Sequence, residues 1–165
     1  MMWILSRTVE WTNRLAALAS GLLLVVLLVS VALQVFYRYV LLAPLVWSEE
    51  IARYCMVWIT FLAGGLAISQ HLNPRLELFE QYLSSGGRRR IALVVNSLTM
   101  TFLVVLTLVG LDVALVYSEF PSQGSGVPQS WPRLALPVGG FLMLLNLLHQ
   151  SLKGPSNESG VQGGY

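Results

Sequence analysis

The sequence predicts an all-α membrane protein: four transmembrane helices with short interfacial helices, N-in/C-in. Three observations carry this expectation. First, 55% of the 165 residues are hydrophobic and only 11% are charged, against roughly a quarter charged in soluble domains. Second, four runs contain no Asp, Glu, Lys or Arg: residues 15–37, 54–71, 91–111 and 134–152, each about 18–23 residues long. A helix rising about 1.5 Å per residue needs about 20 residues to cross ~30 Å of hydrocarbon, and lipid leaves a bare backbone no other option. Third, both termini on the inner side place Arg7, Arg14, Arg75, Arg88, Arg89, Arg90 and Lys153 there, against Arg38, Arg53 and Arg133 outside. Seven basic residues to three fits the positive-inside rule.

Residues 1–14 mix Trp3 and Trp11 with Arg7, Glu10 and Arg14, which suits an interfacial N-terminal segment. The four-helix transmembrane domain is expected over 15–152, with spans at about 15–37, 48–70, 91–117 and 132–152, followed by a disordered tail at 153–165. In the first span Ala16/Ser20 and Ala17/Gly21 are small pairs that allow close helix packing. Tyr37, Arg38 and Tyr39 close it as an interface anchor. Ser30-Val31-Ala32 resembles a signal cleavage site, but the apolar run is too long for a signal peptide and cleavage is not expected. After Pro44, Ser48 suits an N-cap, with Glu49 and Glu50 in the favourable first turn. Arg53 follows at spacings of four and three, so all three charges can meet on one face.

The second span offers Gly64, Gly65, Ala63/Ala67 and Gly65/Ser69 for packing, and Asn73-Pro74 ends the helix. Residues 76–83 read as an interfacial amphipathic turn or two, and Gly86-Gly87 with the arginines ends that linker. Residues 118–130 form a Gly/Pro/Ser/Gln loop. Trp131-Pro132-Arg133 starts the last span, and Pro137 with Gly139-Gly140 predicts a bend.

Catalysis is not expected of this chain. The span centres carry no ionisable residues, and Asp112 falls near the outer interface as a hydrated carboxylate. Cys55 is the lone cysteine, His71 and His149 end spans, and no metal-ligand spacing or nucleophile motif occurs. No catalytic, metal or substrate-binding residues are therefore predicted, and a basic array for nucleic acid is missing. Arg38, Trp47, Glu49, Glu50, Arg53, Trp131 and Arg133 are candidate partner or docking contacts, while Ala17, Gly21, Gly64, Gly65, Gly139 and Gly140 are candidate helix-packing positions. Two other function classes remain open. A small self-assembling transporter would want a membrane carboxylate in its first span, which residues 15–37 lack, and a redox module would bind quinone, or haem between His71 and His149.

The stretches 33–39 (LQVFYRY), 47–54 (WSEEIARY), Trp58, Phe61, Ala63-Gly64 and His71 resemble the small membrane subunit (DctQ type) of tripartite ATP-independent periplasmic (TRAP) transporters. The likeness covers about residues 15–150, including Trp131-Pro132 and Pro137, and departs at 71–75 (HLNPR), where the family usually has no proline. It implies an inner-membrane scaffold for organic-acid uptake. In such systems a periplasmic substrate-binding protein docks on the membrane part, and a large multi-span subunit holds the substrate and sodium sites and moves as an elevator. The small subunit, lacking a cofactor of its own, widens the static wall within the surrounding lipids.

Overall fold

The computed structural model describes residues 2–69, 85–117, 121–122 and 124–153. Helix α1 spans Met2–Tyr39, α2 Val46–Ser69, α3 Ser85–Val116, α4 Ser130–Arg133 and α5 Ala135–Lys153. Among the described residues, four helical segments are long and apolar enough to cross a membrane. The expectations for His71, Asn73-Pro74, the turn at 76–83 and the tail after Lys153 lie outside the described residues.

The helix boundaries depart from the sequence reading in four places. Residues 2–14 are not set off from the first span; they continue it as one helix of 38 residues, about 57 Å long. No Pro or Gly interrupts the chain before Gly21, so nothing stops the helix there. Helix α3 likewise takes in Gly86, Gly87 and the three arginines, because a helix already nucleated by its apolar run tolerates Gly at about 1 kcal/mol each. Ser48 is not an N-cap. Helix α2 begins at Val46, and the buried Ser48 hydroxyl donates back to the Leu45 carbonyl at 2.8 Å. The break expected around Pro137–Gly140 falls instead at Leu134. Pro137 has no N–H for the Arg133 carbonyl and its ring crowds that carbonyl, so the disturbance appears one turn earlier. Backbone bonds from Leu134 to Ser130 (2.9 Å) and from Val138 to Leu134 (3.2 Å) carry the i→i−4 pattern across the break between α4 and α5.

A tight turn joins α1 to α2. Leu42 adopts φ 52° and is 82% exposed, a left-handed conformation that an L-residue takes at a cost of about 1–2 kcal/mol.

Helices α2 and α5 are central; α1 packs along α2 and α3 along α5. One cluster joins Ala16 of α1, Leu62 of α2 and Leu142 of α5; another joins Ile68, Leu103 of α3 and Leu147. Close approach is carried by glycine. Position 65 faces Leu142, position 64 faces Met143, position 140 faces Thr107 and position 110 faces Leu136 and Pro137. At Gly139 the constraint is strictest, since a Cβ would lie 2.5 Å from Phe61 Cβ and 3.0 Å from its backbone carbonyl. Gly64, Gly65, Gly139 and Gly140 therefore sit at helix crossings inside the bundle. Ala17 and Gly21 do not: both are exposed, and nothing lies within 4 Å of a Cβ at Gly21. The buried partner on α1 is Ala16.

One polar lock ties the first helix to the last. Asn13 and Asn146 exchange amide hydrogen bonds of 2.8 and 3.0 Å, and Asn146 also donates to the Leu142 carbonyl at 2.9 Å. Asn146 is 2% exposed. Asn146→Leu should destabilise the bundle by about 1–2 kcal/mol, because Asn13 loses its acceptor and donor in an apolar setting. Asn13→Leu/Asn146→Leu should recover most of that loss. Reversible unfolding in mixed micelles would measure both, and equal stability of the single and double variants would refute the coupling.

Candidate functional site

At the end of the bundle where α1 passes into α2, Glu49 and Glu50 diverge. Glu49 pairs with Arg53 one turn on, at 3.0 Å, with both side chains more than 60% exposed. Glu50 turns the other way and takes no part in that pair. It accepts from the backbone amides of Gly124 (3.1 Å) and Ser125 (2.8 Å), and from the Ser122 hydroxyl. The three-charge face expected from the sequence is thus split, because consecutive helix residues point about 100° apart.

The loop is shaped to receive that carboxylate. Pro121 bridges to Pro128, the Ser122 amide donates to the Val127 carbonyl (2.9 Å), and Gly126 returns the chain at φ 70° with its amide on the Ser122 carbonyl (3.2 Å). A Cβ at position 124 would sit 2.9 Å from the Glu50 carboxyl carbon, so glycine is what lets the acid reach two successive amides. Such amide pairs form an anion nest, and hydrogen bonds to a charged acceptor are stronger than neutral ones.

Two aromatic contacts complete the rim. Trp58 of α2 donates Nε1–H to the Trp131 carbonyl (3.2 Å), with ring centroids 6.0 Å apart. The Arg133 guanidinium lies 4.0 Å over the Tyr117 ring and also bonds the Gln129 carbonyl at 2.5 Å. Arg133 and the Trp131 backbone therefore brace the loop from its far side, while the Trp131 ring stays 56% exposed. Arg38 leans over its neighbour Tyr39 (5.7 Å to the ring centre), and Trp47 is 39% exposed. Of the seven candidate contacts, Arg38, Trp47, Glu49, Arg53 and the Trp131 ring present an accessible surface; Glu50 and Arg133 hold the surface in shape. Sequence reasoning missed Ser122, Gly124 and Ser125. Their Ser/Gly run is an anion-nest composition, but a carboxylate 72 positions upstream gives no local sign of being the anion.

Residues 27–154 match the family of tripartite ATP-independent periplasmic transporters, DctQ component. The chain belongs to that family. As a DctQ-family protein it is a multi-pass membrane component of a TRAP transporter and not an enzyme. It is 24% identical over 138 residues to the sialic acid TRAP transporter small permease protein SiaQ of Vibrio cholerae, covering 84% of this chain and 80% of that one. It is 28% identical over 145 residues to the isethionate TRAP transporter permease protein DctMQ of Oleidesulfovibrio alaskensis, covering 83% of this chain and 22% of that one. Against the sialic acid TRAP transporter permease protein SiaT of Haemophilus influenzae the figures are 25% over 147 residues, 84% and 23%. The chain thus spans less than a quarter of two of these relatives and four-fifths of the third.

Proposed function

We propose that this DctQ-family chain is the small permease subunit of a TRAP-type secondary transporter in the bacterial inner membrane, and that it scaffolds a larger permease subunit. The observation that carries this reading is the family match over residues 27–154. The shares of 22% and 23% in DctMQ and SiaT support it, since in those proteins a stretch like this one belongs to a far longer permease polypeptide. The bundle's own polar groups agree with a supporting role. Asn13, Asn146, Glu50 and Arg133 bond within the fold, which builds rigidity and not a solute path. In an N-in/C-in arrangement the Glu50 end faces the periplasm, where Glu49, Arg53, Trp47 and Trp131 form a braced rim on which a substrate-binding protein docks. Relatives are named for isethionate and sialic acid, both acids, which supports an organic-acid cargo. The sodium gradient and the solute are handled by the larger subunit.

Co-expression with the larger permease should give a complex that survives purification, and uptake should need both membrane parts and the binding protein. Liposomes holding only this chain should take up no solute; uptake by them would overturn the proposal. Arg53→Glu should lower uptake roughly threefold through the docking step. It should leave bundle stability within about 0.5 kcal/mol, because an exposed pair contributes little. Unchanged uptake would confine Arg53 to local pairing with Glu49.

A further inference from the structure

The outward face of α3 carries a charge that the fold leaves unanswered. Helix α3 turns Met100, Leu103, Thr107, Gly110 and Ala114 toward α5 and the core; Leu103 and Ala114 are 3% and 2% exposed. At about 100° per residue, the diametrically opposite stripe runs through Val94, Leu98, Val105, Leu108 and Asp112. The four apolar members of that stripe are all more than half exposed. The Thr101 hydroxyl on the same side is already bonded to the Ser97 carbonyl at 2.9 Å, so it is compatible with lipid. The exposed carboxylate of Asp112 has no hydrogen bond or ion pair to any described residue.

Asp112 lies within the apolar segment Leu93–Val116, toward the end that leads to the Trp131 loop. Gly110 meets Leu136 and Pro137, and the two helices run antiparallel. Asp112, about 3 Å further along, therefore lies level with the start of α5, on the bundle side of Trp131 and against the same apolar stripe. Ionisable groups within a span nearly always face protein or a water-filled cavity, because hydrocarbon gives them no partner. The corresponding stripe of α1 (Leu18, Leu22, Val25, Val29, Phe36) is equally exposed and wholly apolar, which is what lipid accepts.

We propose that the outward stripe of α3, centred on Asp112, is the surface on which a helix of the larger permease packs, with a lysine or arginine of that helix meeting the Asp112 carboxylate. Helix α1 then faces lipid. The assignment rests on the small-subunit reading above, and the test separates the two. A photo-crosslinking residue placed at Leu108 or Leu98 should attach to the larger permease in the assembled complex, whereas one at Leu22 or Val29 should attach to lipid. Asp112→Lys should lower the yield of co-purified complex about tenfold or more and Asp112→Asn only a few-fold, since the amide keeps a hydrogen bond but loses the charge. Both variants should retain wild-type helicity and unfolding, because Asp112 is exposed and makes no hydrogen bond or ion pair to a described residue. A complex of normal yield from Asp112→Lys, or crosslinks to lipid alone from α3 while the complex stays intact, would overturn the α3 assignment and leave the small-subunit reading standing. Failure of the wild-type chain to form any complex would overturn both.

Discussion

Gly139→Ala should weaken the bundle by about 3 kcal/mol, and Gly139→Val should leave little folded protein to recover. The new methyl group would meet Phe61 at its Cβ and backbone carbonyl (2.5 and 3.0 Å), not at the tip of a side chain that can rotate away. Relief requires α2 and α5 to separate. That movement would loosen the contacts of Leu62 with Leu142, and of Ile68 with Leu147. Gly21→Ala is the matched control. Nothing lies within 4 Å there, so the change should be neutral or stabilising by up to about 1 kcal/mol through helix propensity. Unfolding in mixed micelles reads both; a Gly139→Ala protein within about 0.5 kcal/mol of wild type would show that the α2–α5 crossing is loose.

Glu50→Ala should free the loop at Pro121–Pro128 while the spans stay folded. The carboxylate is what Gly124, Ser125 and Ser122 share; without it three donors lose their common acceptor. Amide exchange or proteolysis in this loop should accelerate about tenfold or more, with unfolding of the spans nearly unchanged, as expected when a local opening uncouples from the global one. Gly124→Ala should act the same way from the other side, because its Cβ would press on the carboxyl carbon at 2.9 Å. The docking role proposed for the rim adds an expectation for the assembled transporter: both variants should depress uptake, since the rim would no longer be held in shape. Exchange at wild-type rates in both would mean that the Pro121–Pro128 bridge and the Arg133–Tyr117 contact suffice.

Legibility from sequence followed the range of the physics. The four spans were readable because hydrocarbon thickness and backbone satisfaction act on every residue of an apolar run. Gly64, Gly65, Gly139 and Gly140 were readable as packing positions because small residues at a crossing have few other uses in a span. Ala17 and Gly21 looked the same on paper but fall on the face of α1 that turns away from the bundle; a pair of adjacent small residues does not say which one faces inward. Helix ends were read too short where glycine or charge suggested a stop, as at Gly86-Gly87, since continuation of a formed helix needs only a weak favourable term. The Glu50 clamp and the Asn13–Asn146 lock were invisible. Each joins residues 72 to 133 positions apart, and only the tertiary fold brings such groups together.

The amide lock also says something about the order in which the protein is made. Asn146 follows Asn13 by 133 residues, so at about 5–20 residues per second its arrival lags by about 7–27 seconds. Once α2 has followed, α1 and α2 can already pair as a hairpin, but the Asn13 amide must still turn to headgroups or water. Docking of α5 against α1 and α2 is then a late step, gated by its own arrival. A nascent chain halted before that point displays a polar mark on α1 that the finished protein conceals, a distinction on which membrane quality control can act.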